Sequence, residues 1–332
     1  MCILCNNKKK YFNSKYIHLH SCNKIKQIKI KIKNVKYFNC NYTQLDNLDN
    51  LNHYNLNYLF CKYTNIINYF HYNFNNLIEL DISYTKTIQL SDTLIKLKYL
   101  TINNTFINYL PNNLNNLEIL NADNSKLLLI PNNLINLKKL FIMNTNINNI
   151  PNELINLEYL DCSYTKITYL SETLINLKSV NCQNTLINNL SDKYINLEYL
   201  NCQNTLISKL SNKYVKLKEL YILNTNINYI SNKYKLLRKI YKNNIILYDR
   251  QKIKEYLNIN YLILHFKSNF KFIRKYKYIT IINIYKYIDL ILDYYVNPKS
   301  LSLLYKVYNF DNNQKKILYL TKSNKLKIFN LI

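Results

Sequence analysis

The 332-residue chain is predicted to form an α/β-type solenoid. This is an arc with a parallel β-sheet on its concave side, a mostly irregular convex side, and a C-terminal cap of helices and a hairpin. Three observations predict it. Leucine stands at 77, 97, 117, 137, 157, 177, 197 and 217, and again at 237, so eight consecutive units share a strict 20-residue period. Within a unit, Leu157, Leu160 and Cys162 alternate with polar residues as a short strand does, and Ile167, Leu170 and Leu174 bring the chain back across the same core. One unit cannot bury these positions alone, whereas stacked neighbours can. Strands about 4.8 Å apart make eight units a sheet roughly 40 Å across.

The elements follow in order. Residues 1–34 form a basic N-terminal segment with a degenerate first repeat from about Ile17. Residues 35–240 hold the repeats: two looser 21-residue units from Val35 and Leu56, eight 20-residue units, and a partial one that loses the pattern at Lys242. The unit reads L-x-x-L/I/V-x-I/C/A-x-x-T/S-x-I/L/T-x-x-L/I-P/S-x-x-L/Y-x-x. Pro111, Pro131 and Pro151, or serine elsewhere, follow the return turn, where no ladder N–H is needed. With no glycine in the chain, asparagine is expected to serve the tight turns, because it tolerates left-handed backbone best among the residues present.

Residues 241–332 form the basic cap region. Ile253, Leu257, Tyr261 and Leu264 fit one helix face, and Ile281, Ile284, Ile288 and Tyr295 another, ended by Asn297-Pro298. Ile317–Leu320 and Leu326–Phe329 flank a polar turn as a terminal hairpin. Such a cap would cover the open sheet edge.

The recurring unit resembles the leucine-rich repeat family over about two-thirds of the chain, at the short end of its repeat lengths, as in its bacterial effector subtype. One departure is consistent. Threonine or serine (Thr85, Thr105, Ser125, Thr145, Thr165, Thr185, Thr205, Thr225) replaces the usual asparagine. The resemblance implies a protein-binding scaffold with no catalytic activity. Cysteine recurring at the sixth position, with 60 asparagines and other AT-rich codons, is similar to repeat families of giant viruses and insect poxviruses. That likeness implies a viral protein acting on a host factor in the cytoplasm.

Composition narrows the function classes. Zero glycine removes Walker loops, dinucleotide fingerprints, nucleophile elbows and kinase glycine loops. The net charge of +26 is uneven: +9 over residues 1–34, +3 over 35–237 and +14 over 238–332. No signal peptide precedes Lys8-Lys9-Lys10, and the stretch Ile279–Val296 carries Lys286, Asp289 and Asp293, so neither secretion nor a membrane span is expected. Eight cysteines without a secretory leader fit free thiols in a reducing compartment. No cysteine follows Cys202, which removes the nucleophile of the ubiquitin-ligase domain that some short-repeat effectors carry.

Several candidate sites remain. Cys2, Cys5, His18 and Cys22 have the donor types and spacing of one structural zinc. Cys22 also occupies the threonine position of the first repeat, so no metal is assigned. Cys40, Cys61, Cys162, Cys182 and Cys202 sit at the inward sixth position and read as core. Lys98, Glu118, Lys138, Glu158, Lys178, Glu198 and Lys218 alternate at the second position as a charge ladder between strands. Positions three, five, seven and eight face the concave side. There Ile119, Lys139, Phe141, Met143, Tyr159 and Asp161 form the apolar and charged patch expected to bind a protein partner. Tyr221 and Leu223 are expected beneath the C-terminal cap. The alternative function is sequence-tolerant nucleic-acid binding through the lysine-rich flanks (Lys24, Lys26, Lys29, Lys31, Lys33; Lys267, Lys271, Arg274, Lys275, Lys277). His53, His71 and His265 receive no role.

Overall fold

In the computed structural model, the described residues are 11–19, 22, 26–29, 31–51, 55–67, 73–227, 230–231, 233–234, 236–242, 245–248, 316–320 and 326–330. The helix expectations over 253–264 and 281–295 therefore lie outside them. The chain divides into two units, Met1–Asn243 and Asn244–Ile332.

The first unit is a stack of short strands, three residues long except the last. They are β1 (Tyr11–Asn13), β2 (Tyr16–His18), β3 (Lys31–Lys33), β4 (Tyr37–Asn39), β5 (Tyr58–Phe60), β6 (Glu79–Asp81), β7 (Tyr99–Thr101), β8 (Ile119–Asn121), β9 (Lys139–Phe141), β10 (Tyr159–Asp161), β11 (Ser179–Asn181), β12 (Tyr199–Asn201), β13 (Glu219–Tyr221) and β14 (Lys239–Lys242). From β6 onward the strand starts repeat with the same strict period as the leucines. In the main sheet β2 pairs with β4, and β4 to β14 follow in sequence order. Each pair is parallel and unshifted, so Tyr159 faces Ser179 and Leu160 faces Val180. The degenerate first repeat joins this ladder through Ile17 opposite Phe38. A separate parallel pair joins β1 to β3. The second unit contains β15 (Ile245–Tyr248), β16 (Lys316–Leu320) and β17 (Leu326–Asn330). Strands β16 and β17 are antiparallel, with Ile317 opposite Phe329, which is the terminal hairpin the sequence predicts.

The core is a set of aligned columns. In the unit from Leu157, Leu157, Leu160, Cys162, Thr165, Ile167, Leu170 and Leu174 are buried, while Tyr164, Lys166, Thr168 and Tyr169 are exposed. Cys40, Cys61, Cys162, Cys182 and Cys202 are buried thiols within this column of apolar neighbours. Burial pushes the Cys182 thiol up to about 12, which suppresses the reactive thiolate.

The turn leaving each strand needs two devices. The residue at the eighth position has left-handed backbone in every unit from Val35 to Leu217. Asparagine takes it at Asn104, Asn124, Asn144, Asn184, Asn204 and Asn224, as expected, but tyrosine takes it at Tyr42, Tyr63, Tyr84 and Tyr164, with φ of 53–57°. A large side chain there costs about 1–3 kcal/mol of strain. Stacking offsets part of this: Tyr42 and Tyr63 lie 5.0 Å apart between ring centroids, and Tyr63 and Tyr84 lie 4.3 Å apart. At the ninth position the buried threonine hydroxyl donates to the carbonyl of the sixth residue, as Thr165 does to Cys162 at 2.6 Å and Thr185 to Cys182 at 2.7 Å. This hydroxyl closes the turn within its own unit, so threonine can stand where the resembled repeat pattern has asparagine.

Other positions bind unit to unit. Asn116, Asn156, Asn176 and Asn196 donate their side-chain amides to the carbonyls of Ile95, Ile135, Ile155 and Ile175 in the preceding unit. Where tyrosine replaces the last core leucine, its hydroxyl also crosses to the preceding unit. Tyr194 donates to the Ser171 carbonyl at 2.8 Å, Tyr214 to that of Ser191 at 2.7 Å and Tyr234 to that of Ser211 at 2.7 Å. The return turn has two solutions. Proline takes it in three units, and serine in others accepts an N–H two residues on, as Ser191 does from Lys193.

Thr185→Val keeps the shape but removes the donor to the Cys182 carbonyl. It should lower unfolding free energy by about 1–3 kcal/mol, read as a lower urea midpoint at unchanged slope. In the native protein at pH 8, Cys162, Cys182 and Cys202 should react slowly with a thiol reagent and fully only in denaturant. Rapid native labelling of all three would contradict their core placement.

Candidate functional site

The solvent face of the sheet presents the third, fifth and seventh residues of each unit in rows. Across β8, β9 and β10 the third-position row runs Ile119, Lys139, Tyr159, and the fifth-position row runs Asn121, Phe141, Asp161. Two residues further on, Asp123, Met143 and Ser163 follow the three strands. Five of the six residues singled out in the sequence thus lie on three adjacent strands, and Met143 follows two residues after the end of β9. Tyr159 is exposed, and Ile119, Lys139, Phe141, Met143 and Asp161 are half-buried among their neighbours. The Lys139 ammonium lies 5.0 Å from the centre of the Tyr159 ring, so its charge rests on an aromatic face.

Two carboxylates flank the apolar centre. Asp161 Oδ1 accepts hydrogen bonds from the Ser163 N–H at 3.0 Å and the Ser163 hydroxyl at 2.6 Å, and Oδ2 accepts from the Asn181 amide at 2.9 Å. On the other side, Asp123 Oδ1 accepts from the Met143 N–H at 2.8 Å. Burial raises the Asp123 carboxyl above its ordinary range. The Met143 N–H acts against this rise, and the nearby Asp161 charge adds to it.

Four of the six adjacent pairs in the second-position ladder close as ion pairs along the strand-entry edge. Glu118 bridges Lys98 at 2.9 Å and Lys138 at 2.8 Å, and these contacts, led by Lys138, hold its carboxyl below the usual range. Lys178 pairs with Glu158 at 2.7 Å and Lys218 with Glu198 at 2.5 Å. These cations and anions are consumed in holding units in register.

A second aromatic surface escaped the reading of the sequence. On the first strands of the main sheet, Tyr37 lies 6.3 Å from Tyr16, 6.2 Å from Tyr58, 5.3 Å from Phe60 and 4.8 Å from His18, between ring centroids. These residues fill the third and fifth positions of the longer early units and the degenerate repeat. Aligning those units on Ile17, Phe38 and Leu59 is the signal that finds them. Tyr221 stacks on Tyr241 of β14 at 4.1 Å.

The remaining candidates separate. Cys2 and Cys5 lie outside the described residues, the His18 ring packs on Tyr37, and Cys22 is half-buried with its N–H donated to the Leu19 carbonyl. Among the described residues no three His, Cys, Asp or Glu side chains form a group able to hold a metal. Lys26, Lys29, Lys31 and Lys33 are exposed around the buried Ile28 and Ile32. Lys24, the C-terminal basic set, His53, His71 and His265 lie outside the described residues.

Known structures give the fold its context. An internalin from Listeria monocytogenes superimposes with a TM-score of 0.62 at 22% identity, over 69% of this chain and 74% of that one. The functional domain of InlJ from the same species, which includes a cysteine ladder, gives 0.57 at 18%, over 69% and 63%. YopM, a leucine-rich effector protein from Yersinia pestis, gives 0.58 at 17%, over 69% and 77%. The chain has the leucine-rich repeat fold. No protein-family model matches it. No curated protein matches it in sequence.

Asp123→Asn keeps an acceptor for the Met143 N–H and removes a half-buried charge. Because the folded carboxyl is raised, its ionisation opposes folding, and this opposition fades as pH falls through the folded value. The substitution should therefore leave stability unchanged or higher at pH 7, and the gap from the parent protein should narrow in acid. Thermal unfolding at pH 7 and pH 4 measures this.

Proposed function

We propose that the chain is a non-enzymatic scaffold that binds a protein partner through the solvent face of its sheet, the concave side of the predicted arc. Phe141, Met143 and Tyr159 are the anchors, beside Ile119, Lys139 and Asp161. The observation that carries this is the placing of Phe141 and Tyr159 on the adjacent strands β9 and β10, with Met143 just beyond β9 and the Lys139 ammonium over the Tyr159 ring. Interfaces concentrate binding energy in a few bulky residues of this kind.

The proposal takes the protein as viral, acting on a host factor in the host cytoplasm. AT-rich residue usage and the recurrent buried cysteines support that source, and thiols suit a reducing compartment. Among the described residues no helix is long and apolar enough to cross a membrane. The second reading, sequence-tolerant nucleic-acid binding through the flanks, rests on the exposed Lys26, Lys29, Lys31 and Lys33.

Affinity capture with the full chain from virus-infected cells, followed by mass spectrometry, identifies a partner. Phe141→Ser with Tyr159→Ser should then weaken binding by at least about 2 kcal/mol, roughly thirtyfold, with an unchanged unfolding transition. Unaltered affinity in a folded variant rejects the patch. Binding that collapses steeply with added salt, and that includes nucleic acid, favours the flanks instead.

A further inference from the structure

Some carboxylates of the first unit stand in ion pairs, and others, Glu79, Asp81, Asp123 and Asp161 on the sheet face among them, form none among the described residues. Glu118, Glu158, Glu172, Asp192, Glu198 and Glu219 each pair with a lysine. Asp123 and Asp161 form no ion pair among the described residues, although the chain carries 45 lysines and arginines against 19 acids. Their hydrogen bonds come from neutral donors: the Met143 N–H for Asp123, and Ser163 and the Asn181 amide for Asp161. Lys139, which shares these three strands, has its ammonium over the Tyr159 ring.

These two acids flank the apolar anchors. Asp161 is in register beside Phe141, and Asp123 accepts from the backbone of Met143. Two strand spacings, roughly 10 Å, separate their strands, with β9 between. Upstream on the same face Glu79 and Asp81 add negative charge, and burial together with Asp81 raises the Glu79 carboxyl. In an otherwise basic protein the binding face is thus locally acidic around an apolar centre.

We infer that the partner presents a basic segment, with an arginine lying on Phe141 and reaching the Asp161 carboxylate, and a second basic residue meeting Asp123. The inference rests on the proposed use of this patch and adds the partner's chemistry. Arginine fits better than lysine because its planar guanidinium stacks on an aromatic ring while its edge pairs with a carboxylate. A cation there also relieves the mutual repulsion that helps to raise Asp123. The phosphate backbone of a nucleic acid is repelled by the same carboxylates.

Selection of random short peptides displayed on phage against the immobilised full chain tests this. Enriched sequences should carry arginine next to an aromatic or aliphatic residue. A synthetic peptide of the enriched sequence should bind the Asp123→Asn, Asp161→Asn variant at least about tenfold more weakly, the scale of losing a charged hydrogen bond. Replacing its arginine with citrulline, which has nearly the same shape and no charge, should give a similar loss on the parent chain. Asp123→Asn keeps an acceptor for the Met143 N–H, and Asp161→Asn keeps one for Ser163 but loses the second that meets the Asn181 amide, so an unfolding midpoint no lower than the parent's is the condition for reading the loss as one of charge. Acidic or neutral enriched peptides, no enrichment, or equal affinity for the asparagine variant would overturn the inference. If binding still falls with Phe141→Ser and Tyr159→Ser in those cases, the patch survives and only the partner's charge is wrong. If neither variant alters binding, both readings fail.

Discussion

A strand of three residues can enter a solenoid only if the chain turns back at once, and here that turn is made without glycine. The eighth residue adopts left-handed backbone, and the threonine hydroxyl after it ties the turn to the carbonyl of the sixth. The hydroxyl is buried, so leaving that carbonyl unmet would expose the full desolvation penalty of a polar group in the core. Burial of the leucine columns depends on this closure, because only a turn of fixed geometry returns Ile167 and Leu170 beneath Leu160. The asparagine amides and the tyrosine hydroxyls then join one unit to the next. The stack is held by polar contacts at its corners and by apolar burial along its middle.

The strand positions were legible because they follow from spacing alone. Strictly periodic leucine leaves one register in which every apolar column stays inside, and a one-residue slip would turn Leu160 outward. The asparagine turns were legible for a related reason, since backbone tolerance is a property of the single residue. Tyrosine at Tyr42, Tyr63 and Tyr84 was not, because what sustains it is a stacked ring in the neighbouring unit, distant along the chain. The early aromatic face around Tyr37 was hidden in the same manner. Its units are longer than the others and break the period by which those are aligned. Grouping of Phe141, Met143 and Tyr159 followed from strand arithmetic, but their degree of burial did not, since it depends on how neighbouring side chains lean.

Charge is used differently on the two sides of each strand. On the entry edge, Lys98, Glu118 and Lys138 meet in a bridged row, as do the Lys178–Glu158 and Lys218–Glu198 pairs. Such exposed pairs contribute little stability. Their larger effect is on register, because sliding one strand along its neighbour would part Lys138 from Glu118. On the sheet face the pattern changes: aspartates hydrogen-bond to serine, asparagine and backbone N–H groups, leaving their net charge unanswered among the described residues.

The same contrast distinguishes the proposed binding face from apolar exposure with a structural origin. Ile135, Ile155, Ile175, Ile195 and Val215 form an exposed aliphatic row as regular as any on the sheet. Each occupies the tight turn before a strand. In Ile135, Ile155 and Ile175 the backbone carbonyl accepts the asparagine amide of the following unit. Identical spacing and near-identical residue type are what repetition of a turn produces, and no carboxylate or aromatic residue interrupts the row. The patch on β8, β9 and β10 has the opposite character. Its side chains differ from strand to strand and combine aromatic, thioether and charged groups. Repetition explains the first surface through the fold, whereas the second departs from the repeat, so the fold alone does not account for it and the proposed binding role does.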